Sequence, residues 1–189
     1  MKNIVLLFSM SMLSAFYMNK NPETQAASNP TVAKSIYDFS IESIDGETIN
    51  FADFKGKMIL VVNTASMCGY TPQYKALEQL YETHKDKLVI VGFPSDNFGG
   101  QEYQDNKEIK SFCIKNFGVT FPLTTRVDVK GTNTTPIYKY LCNKSENGVL
   151  DAEISWNFNK FLIDANGNLL KHFSSKVTPD SEEILKFLK

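Results

Sequence analysis

The stretch Met58–Pro72, MILVVNTASMCGYTP, decides the fold. Met58, Ile59, Leu60, Val61 and Val62 form an unbroken apolar run rich in β-formers, the pattern of a buried strand. Thr71-Pro72 then offers a helix N-cap and a first helical residue, which predicts a strand, a turn and a helix with Cys68 in the turn. A thiol just ahead of a helix start faces the positive end of the helix dipole and unpaired backbone N–H groups, and both favour thiolate over thiol. On a strand interior a lone cysteine would be apolar filler. In this turn it is a candidate nucleophile.

Outward from this unit, the segment Ile36–Phe51, IYDFSIESIDGETINF, alternates apolar and polar residues about Asp45-Gly46 and predicts a β-hairpin. After the central turn, Tyr74, Leu77, Leu80 and Tyr81 recur at helical spacing and mark a core-facing stripe. Leu88–Phe93, LVIVGF, is a second buried strand, and the strand–helix–strand unit implies a parallel pair. The loop PSDNFGGQEYQ follows at the C-terminal end of that strand, where α/β sheets place functional residues. Asp105 and Glu108 fit a capping box opening a helix that carries Cys113. Phe121–Val127 reads as a short extended segment, and Thr135-Pro136 as the start of another helix ending near Cys142. KSENGVLDAE reads as a loop. ISWNFNKFLID and Leu169–Phe173 pair about Asn166-Gly167, and Thr178-Pro179 opens a last helix.

This order resembles an expanded thioredoxin-like fold: α/β, with a central mixed sheet flanked by helices and an added N-terminal β-hairpin. Cys68-Gly69-Tyr70-Thr71 then stands at the position of the redox turn, with Thr71 where a second cysteine of C-x-x-C would be. A local dithiol is excluded. Any resolving thiol must come from elsewhere in the chain.

Composition narrows the partners. The 189 residues carry 20 basic and 21 acidic side chains without long runs, a net charge of -1, so no nucleic-acid partner is expected. Arg126 is the one arginine, which leaves little for clamping a highly anionic substrate. Three cysteines, Cys68, Cys113 and Cys142, rule out a fully paired intramolecular framework, and the spacings are not those of structural zinc. No metal or organic cofactor is expected. Lys2, the apolar residues Ile4–Met18 and Ala26-Ala27 have the form of a secretory leader, too short at its apolar part to span a bilayer, which needs ~20 residues. Residues 1–34 are thus expected to be a leader and linker that exports the protein, with an uncleaved membrane anchor or an organellar leader as the alternatives, and residues 35–189 the folded domain.

Three blocks, NTASMCGYTPQY, VGFPSDNFGGQE and SWNFNKFLID, in that order, resemble the signature blocks of the glutathione peroxidase family in its cysteine form. The resemblance spans Ile36 to the C-terminus. It implies a catalytic tetrad of Cys68, Gln101, Trp156 and Asn157, and a resolving role for Cys113, 113 − 68 = 45 residues after Cys68, as in the thioredoxin-dependent branch. Asp96-Asn97 stands where the family usually has Asn-Gln, and Tyr103 replaces a usual proline. The segment from Tyr140 to Trp156 is short, like members lacking the tetramer-forming loop, which implies a monomer. The arginines that bind glutathione in tetrameric members have no counterpart, so a thioredoxin-like dithiol reductant is expected over glutathione.

The chemistry suits these residue types. A thiolate attacks one oxygen of the O–O bond, and the other oxygen leaves needing a proton and hydrogen-bond donors. An indole N–H can only donate, and each carboxamide carries two donor hydrogens. The product is a sulfenic acid on Cys68. Singly, Trp156 would be a core aromatic, Asn157 a turn residue and Gln101 solvated surface; jointly they describe a hydroperoxide reductase. Two rival readings remain at this level: a thioredoxin-fold disulfide reductase or isomerase, and a non-catalytic redox sensor.

Overall fold

A computed structural model describes residues 34–189; the leader expected over residues 1–34 lies, but for Lys34, outside the described residues. The chain enters through a 3-10 turn, Ile36–Asp38, and forms an antiparallel hairpin of β1 (Ser40–Glu42) and β2 (Thr48–Asn50). The hairpin is shorter than its alternation predicts. Ser35 caps the 3-10 turn through the Tyr37 N–H while the Asp38 side chain accepts from the Ser35 N–H, and this box draws Ile36–Asp38 out of the strand.

The main sheet holds four strands in the order β4-β3-β5-β6, with β3 (Met58–Thr64) parallel to β4 (Leu88–Pro94) and antiparallel to β5 (Lys160–Ile163), which pairs antiparallel with β6 (Leu169–Phe173). Helices cover both faces, which is why β3 and β4 read as continuous apolar runs. Alternation along β3 divides the core: Leu60 and Val62 join α1 (Gln73–His84) and α2 (Asn106–Phe117), whereas Ile59 and Val61 join α3 (Pro136–Cys142) and the hairpin. This is the α/β thioredoxin-like arrangement expected from the order of elements.

Four local expectations change. Phe121–Val127 is extended but contributes only two isolated bridges, a parallel one from Leu123 to Gly92 and an antiparallel one from Thr124 to Ser43, because Pro122 has no N–H to continue a ladder. The approach is close: a Cβ on Gly92 would stand 2.6 Å from Leu123 Cδ2, so glycine is what lets this segment lie against β4. The segment 144–153 contains a short helix, α4 (Lys144–Asn147), which ends at Gly148 in the left-handed region. The C-terminal helix α5 (Glu182–Leu185) starts after Ser181 rather than at Thr178-Pro179, with Glu182 and Glu183 in its first turn where the helix dipole favours them. At α2, Asp105 caps through the Lys107 and Glu108 N–H groups, but the Glu108 side chain does not return a bond to the Asp105 N–H, so only half of the expected capping box forms; Gly118 closes the helix in the left-handed region.

Candidate active site

Three loops meet at one end of the sheet: the β3–α1 turn with Cys68, the segment after β4 with Gln101, and the turn before β5 with Trp156 and Asn157. Cys68 is buried, with 7% of its surface exposed. Thr71 has a different task from the one expected of it. The helix begins at Gln73 with Pro72 as a cap that makes no side-chain bond. The Thr71 hydroxyl instead turns back, donating to the Ala65 carbonyl at 2.8 Å and accepting from the Cys68 N–H at 3.0 Å. The position of the missing second thiol is thus occupied by the group that shapes the turn. The Tyr70 N–H donates to Cys68 Sγ at 3.4 Å, so a backbone donor already faces the sulfur.

Thr71→Val keeps the shape and removes the hydroxyl, leaving the Cys68 N–H without a partner in a buried setting. The expected cost is about 1–3 kcal/mol of stability, read from urea unfolding, with a slower reaction of Cys68 toward peroxide. Thr71→Ser should behave as wild type.

The Gln101 segment is fixed to the cysteine turn at two points. The Met67 N–H donates to the Gln101 carbonyl at 2.9 Å, and the Ser66 N–H to Glu102 Oε1 at 3.2 Å. Glu102 is buried, accepts a second bond from the Tyr103 N–H at 2.9 Å, and has its pKa raised by burial. The substituted pair Asp96-Asn97 pins the same segment from its other side. Asp96 pairs with Arg126, which commits the sole arginine to structure, and Asn97 donates to Asp128 at 2.6 Å and accepts from the Val129 N–H at 2.7 Å.

Gln101 and Asn157, 56 residues apart in sequence, are bonded to each other: Asn157 Nδ2 donates to Gln101 Oε1 at 3.2 Å. This engages the acceptor of Gln101 and leaves its two Nε2 hydrogens available to the site. Asn157 is fully buried and its Oδ1 has no partner. Trp156 is 39% exposed and tilts against Phe98, ring centroids 5.9 Å apart. Among the described residues none of these three side chains donates to Cys68 Sγ. Beside Trp156 opens a cleft of about 500 Å3, lined by Tyr70, Ser155, Ser174, Ser175 and Lys176.

The Trp156–Asn159 turn is held by asparagines the sequence reading passed over. Asn63, in β3, donates to the Trp156 carbonyl at 3.0 Å and accepts from the Asn159 N–H at 2.9 Å; Asn159 donates to the same Trp156 carbonyl at 2.7 Å. Phe158 is consequently forced to φ 62°, a left-handed conformation rare outside glycine and costing of order 1–3 kcal/mol. Its ring, edge-on to Tyr74 at 5.4 Å, is buried and helps hold it there. Asparagine inside a strand, as at Asn63, was the available signal.

Cys113 lies on the inward face of α2, with no exposed surface, in the same core cluster as Cys68. Burial pushes its thiol up to about 12, countered in part by Tyr74. Near neutral pH it is protonated and inaccessible, so any reaction of this thiol requires α2 to open. Cys142, half-buried, is pushed up to about 11 by the same cause. Both cysteines, and Tyr74, Tyr138 and Tyr140, keep their protons in the fold to higher pH than in the unfolded chain. An acid of raised pKa contributes stability below its unfolded value and loses it as pH rises through the folded one. Stability is therefore expected to fall from about pH 9 toward pH 12, measured as the urea midpoint, and Cys113→Ala should flatten part of that decline.

No group of three or more His, Cys, Asp or Glu among the described residues is placed to hold a metal ion. What the three loops offer is a buried thiol, amide donors and an indole at the mouth of a cleft, a set suited to attack by the thiol with donors at hand for a departing electronegative atom.

The chain is similar to known proteins. The sequence profile of the family described as Glutathione peroxidase matches residues 36–142. A glutathione peroxidase of Lactococcus lactis subsp. cremoris is 46% identical over 157 residues, covering 82% of this chain and 99% of its own length. Glutathione peroxidase-like peroxiredoxin 2 of Saccharomyces cerevisiae is 45% identical over 148 residues, 78% of this chain and 91% of its own. The crystal structure of Trgpx in apo form matches with a TM-score of 0.64 at 34% identity, covering 82% of this chain and 96% of that one. The chain belongs to the glutathione peroxidase family, and it is a thiol peroxidase that reduces hydroperoxides.

Proposed function

We propose that Cys68 is the peroxidatic nucleophile and that Gln101, Trp156 and Asn157 supply the donors that receive the leaving oxygen. The observation that carries this reading is the Gln101–Asn157 hydrogen bond, joined to the Cys68 turn through the Met67–Gln101 backbone bond. Cys68 thiolate attacks one peroxide oxygen and the O–O bond breaks. The departing hydroxide or alkoxide takes a proton, and Cys68 is left as sulfenic acid. Neutral donors suit this step because they stabilise charge on the leaving oxygen without pairing the thiolate in a fixed ion pair.

In this proposal Cys113 then resolves the sulfenic acid. α2 opens, the Cys113 sulfur attacks Cys68 Sγ, the S–O bond breaks, and water leaves with the Cys113 proton as the disulfide forms. A thioredoxin-like dithiol reduces that disulfide. Support for that reductant comes from the commitment of Arg126 to Asp96, which leaves no arginine to clamp the carboxylates of glutathione. The protein acts as a monomer in this reading.

Steady-state hydroperoxide reduction with thioredoxin and with glutathione, in wild type and Cys113→Ser, tests the assignment. Thioredoxin should support turnover in wild type, and Cys113→Ser should lose about tenfold or more of that rate while its first oxidation is unchanged. A variant that turns over normally with thioredoxin would remove the resolving role, and a wild-type preference for glutathione would reverse the reductant.

A further inference from the structure

Lys160 is the most unusual charge among the described residues. It sits in β5 between Val62 of β3 and Phe173 of β6, with no exposed surface. Its Nζ donates to three acceptors: Gln73 Oε1 at 2.6 Å, the Phe158 carbonyl at 2.8 Å and the Val177 carbonyl at 2.8 Å. None is a carboxylate. An ammonium buried without a counter-ion is costly to keep, and burial pulls Lys160 down to about 7. Three acceptors for three N–H groups oppose that pull, because a neutral amine has only two hydrogens to give. His172, whose Nε2 lies 2.9 Å from Asn159 Oδ1, has its own pKa lowered by burial and by the Lys160 charge, so a second cation beside it is disfavoured.

The three acceptors belong to three different pieces of the site. Gln73 is the first residue of α1, five residues after Cys68; Phe158 lies in the strained turn with Trp156 and Asn157; Val177 lies in the loop after β6. Gln73 carries the connection further, since its Nε2 donates to the Ser175 carbonyl at 2.7 Å. The Ser175 hydroxyl donates to the Asn157 carbonyl at 2.5 Å and accepts from Asn159 Nδ2 at 3.2 Å. Ser175 also lines the cleft beside Trp156. Every path from the start of α1 to the backbone of Asn157 in this network runs through Gln73, and Lys160 is what ties Gln73 to the turn directly.

We propose that Lys160 is a positioning residue for the peroxidase reaction: its ammonium locks the start of α1, the Trp156–Asn159 turn and the loop after β6 into the one arrangement that sets Trp156 and Asn157 against the Cys68 turn. The inference rests on the site proposed above. It explains why a lysine occupies a position where an apolar strand residue would pack without the desolvation cost. Methionine has the length but no donor, and would leave Gln73 Oε1 and two carbonyls without the partner they have here. Arginine is planar and cannot meet three converging acceptors in the same way.

The test is Lys160→Met, read in single turnover with hydrogen peroxide. Trp156, the only tryptophan, reports the site. The second-order rate constant for Cys68 oxidation is expected to fall about 10- to 100-fold per folded molecule, the cost of donors misplaced by about 1 Å, with a shifted Trp156 emission maximum. Reduction of the oxidised protein by thioredoxin should change little. A merely structural lysine would lower the unfolding midpoint and leave the rate constant and emission of the folded protein unaltered, and that result would overturn the proposal. Should Lys160→Met not fold, Gln73→Leu keeps the ammonium and removes one acceptor and the Ser175 link. A folded Gln73→Leu with a reduced rate constant and shifted emission supports the proposal; one with wild-type values for both overturns it. Cys68→Ser separates this failure from failure of the site itself, because a peroxidase active without Cys68 would sink the underlying reading whatever Lys160 does.

Discussion

Cys68→Ser is expected to abolish hydroperoxide reduction, lowering the rate by at least about a thousandfold while leaving the fold intact. The fold should survive because Sγ makes a single hydrogen bond, from the Tyr70 N–H, which a serine oxygen can also accept. The turn itself is built by Thr71 with Ala65 and with the Cys68 N–H, none of which the substitution touches. Activity should vanish because no other thiol can stand in. Burial pushes Cys113 up to about 12 and Cys142 up to about 11, so neither presents appreciable thiolate near neutral pH. A serine hydroxyl has neither the polarisability nor the acidity to open an O–O bond. Peroxide consumption coupled to thioredoxin measures the loss, with near-ultraviolet circular dichroism confirming the packed fold.

Asn157→Ala is the second large effect. Asn157 is fully buried at the centre of the donor set, bonded through Nδ2 to Gln101 Oε1, with its backbone carbonyl held by Ser175. Truncation removes an amide and frees Gln101 from the contact that orients it, so two of the proposed donors are lost or misdirected at once. Loss of a single preorganised donor typically costs about 10²–10³ in rate, and the coupled loss should lie at the upper end. The rate constant for Cys68 oxidation in single turnover is the measurement. Reduction of the disulfide by thioredoxin should be nearly unchanged, since it does not use these donors. Double substitution with Gln101→Ala should add far less than the two separate effects combined, because the amides act as a pair. Full additivity would mean that they act independently.

Much of this architecture was legible in the residues. The apolar run of β3, the stripe of Tyr74, Leu77 and Leu80, and the second run at Leu88–Phe93 follow from periodicity alone, because a sheet covered on both faces requires such patterns. Asn166-Gly167 marked the β5–β6 turn for the same kind of local reason. The misses share a cause: polar side chains that serve tertiary structure carry no periodic signal. Thr71-Pro72 has the composition of a helix start, yet the hydroxyl is used by Ala65 and Cys68. α4 was hidden in a polar segment and is stabilised by Asn147, whose buried amide donates to the Tyr140 and Leu150 carbonyls, both at 2.9 Å.

The candidate site was legible unevenly. Cys68 could be singled out from its own turn, whereas Gln101, Trp156 and Asn157 are unremarkable one at a time and gained meaning only from the three blocks taken together. Of the residues that hold them, only Asn63 carried a signal, as an asparagine inside an apolar strand. Asn63, Asn159, Glu102 and Lys160 are polar groups on strands or beside loops, and their importance lies in partners up to 96 residues away, as in the Asn159–Asn63 bond. Sequence spacing does not encode such pairings; for Asn63 and Asn159 the pairing of β3 with β5 creates them, and for Glu102 and Lys160 the meeting of loops and the start of α1 does.

The central claim is that peroxide oxygen is transferred to Cys68, and the most direct measurement is the mass of Cys113→Ser after one equivalent of hydrogen peroxide, with trapping of sulfenic acid and peptide mapping. The account predicts a protein heavier by one oxygen atom, carried by the peptide containing Cys68. Peroxide consumed with Cys68 unmodified, or the oxygen found on Cys142 or a methionine instead, would contradict it.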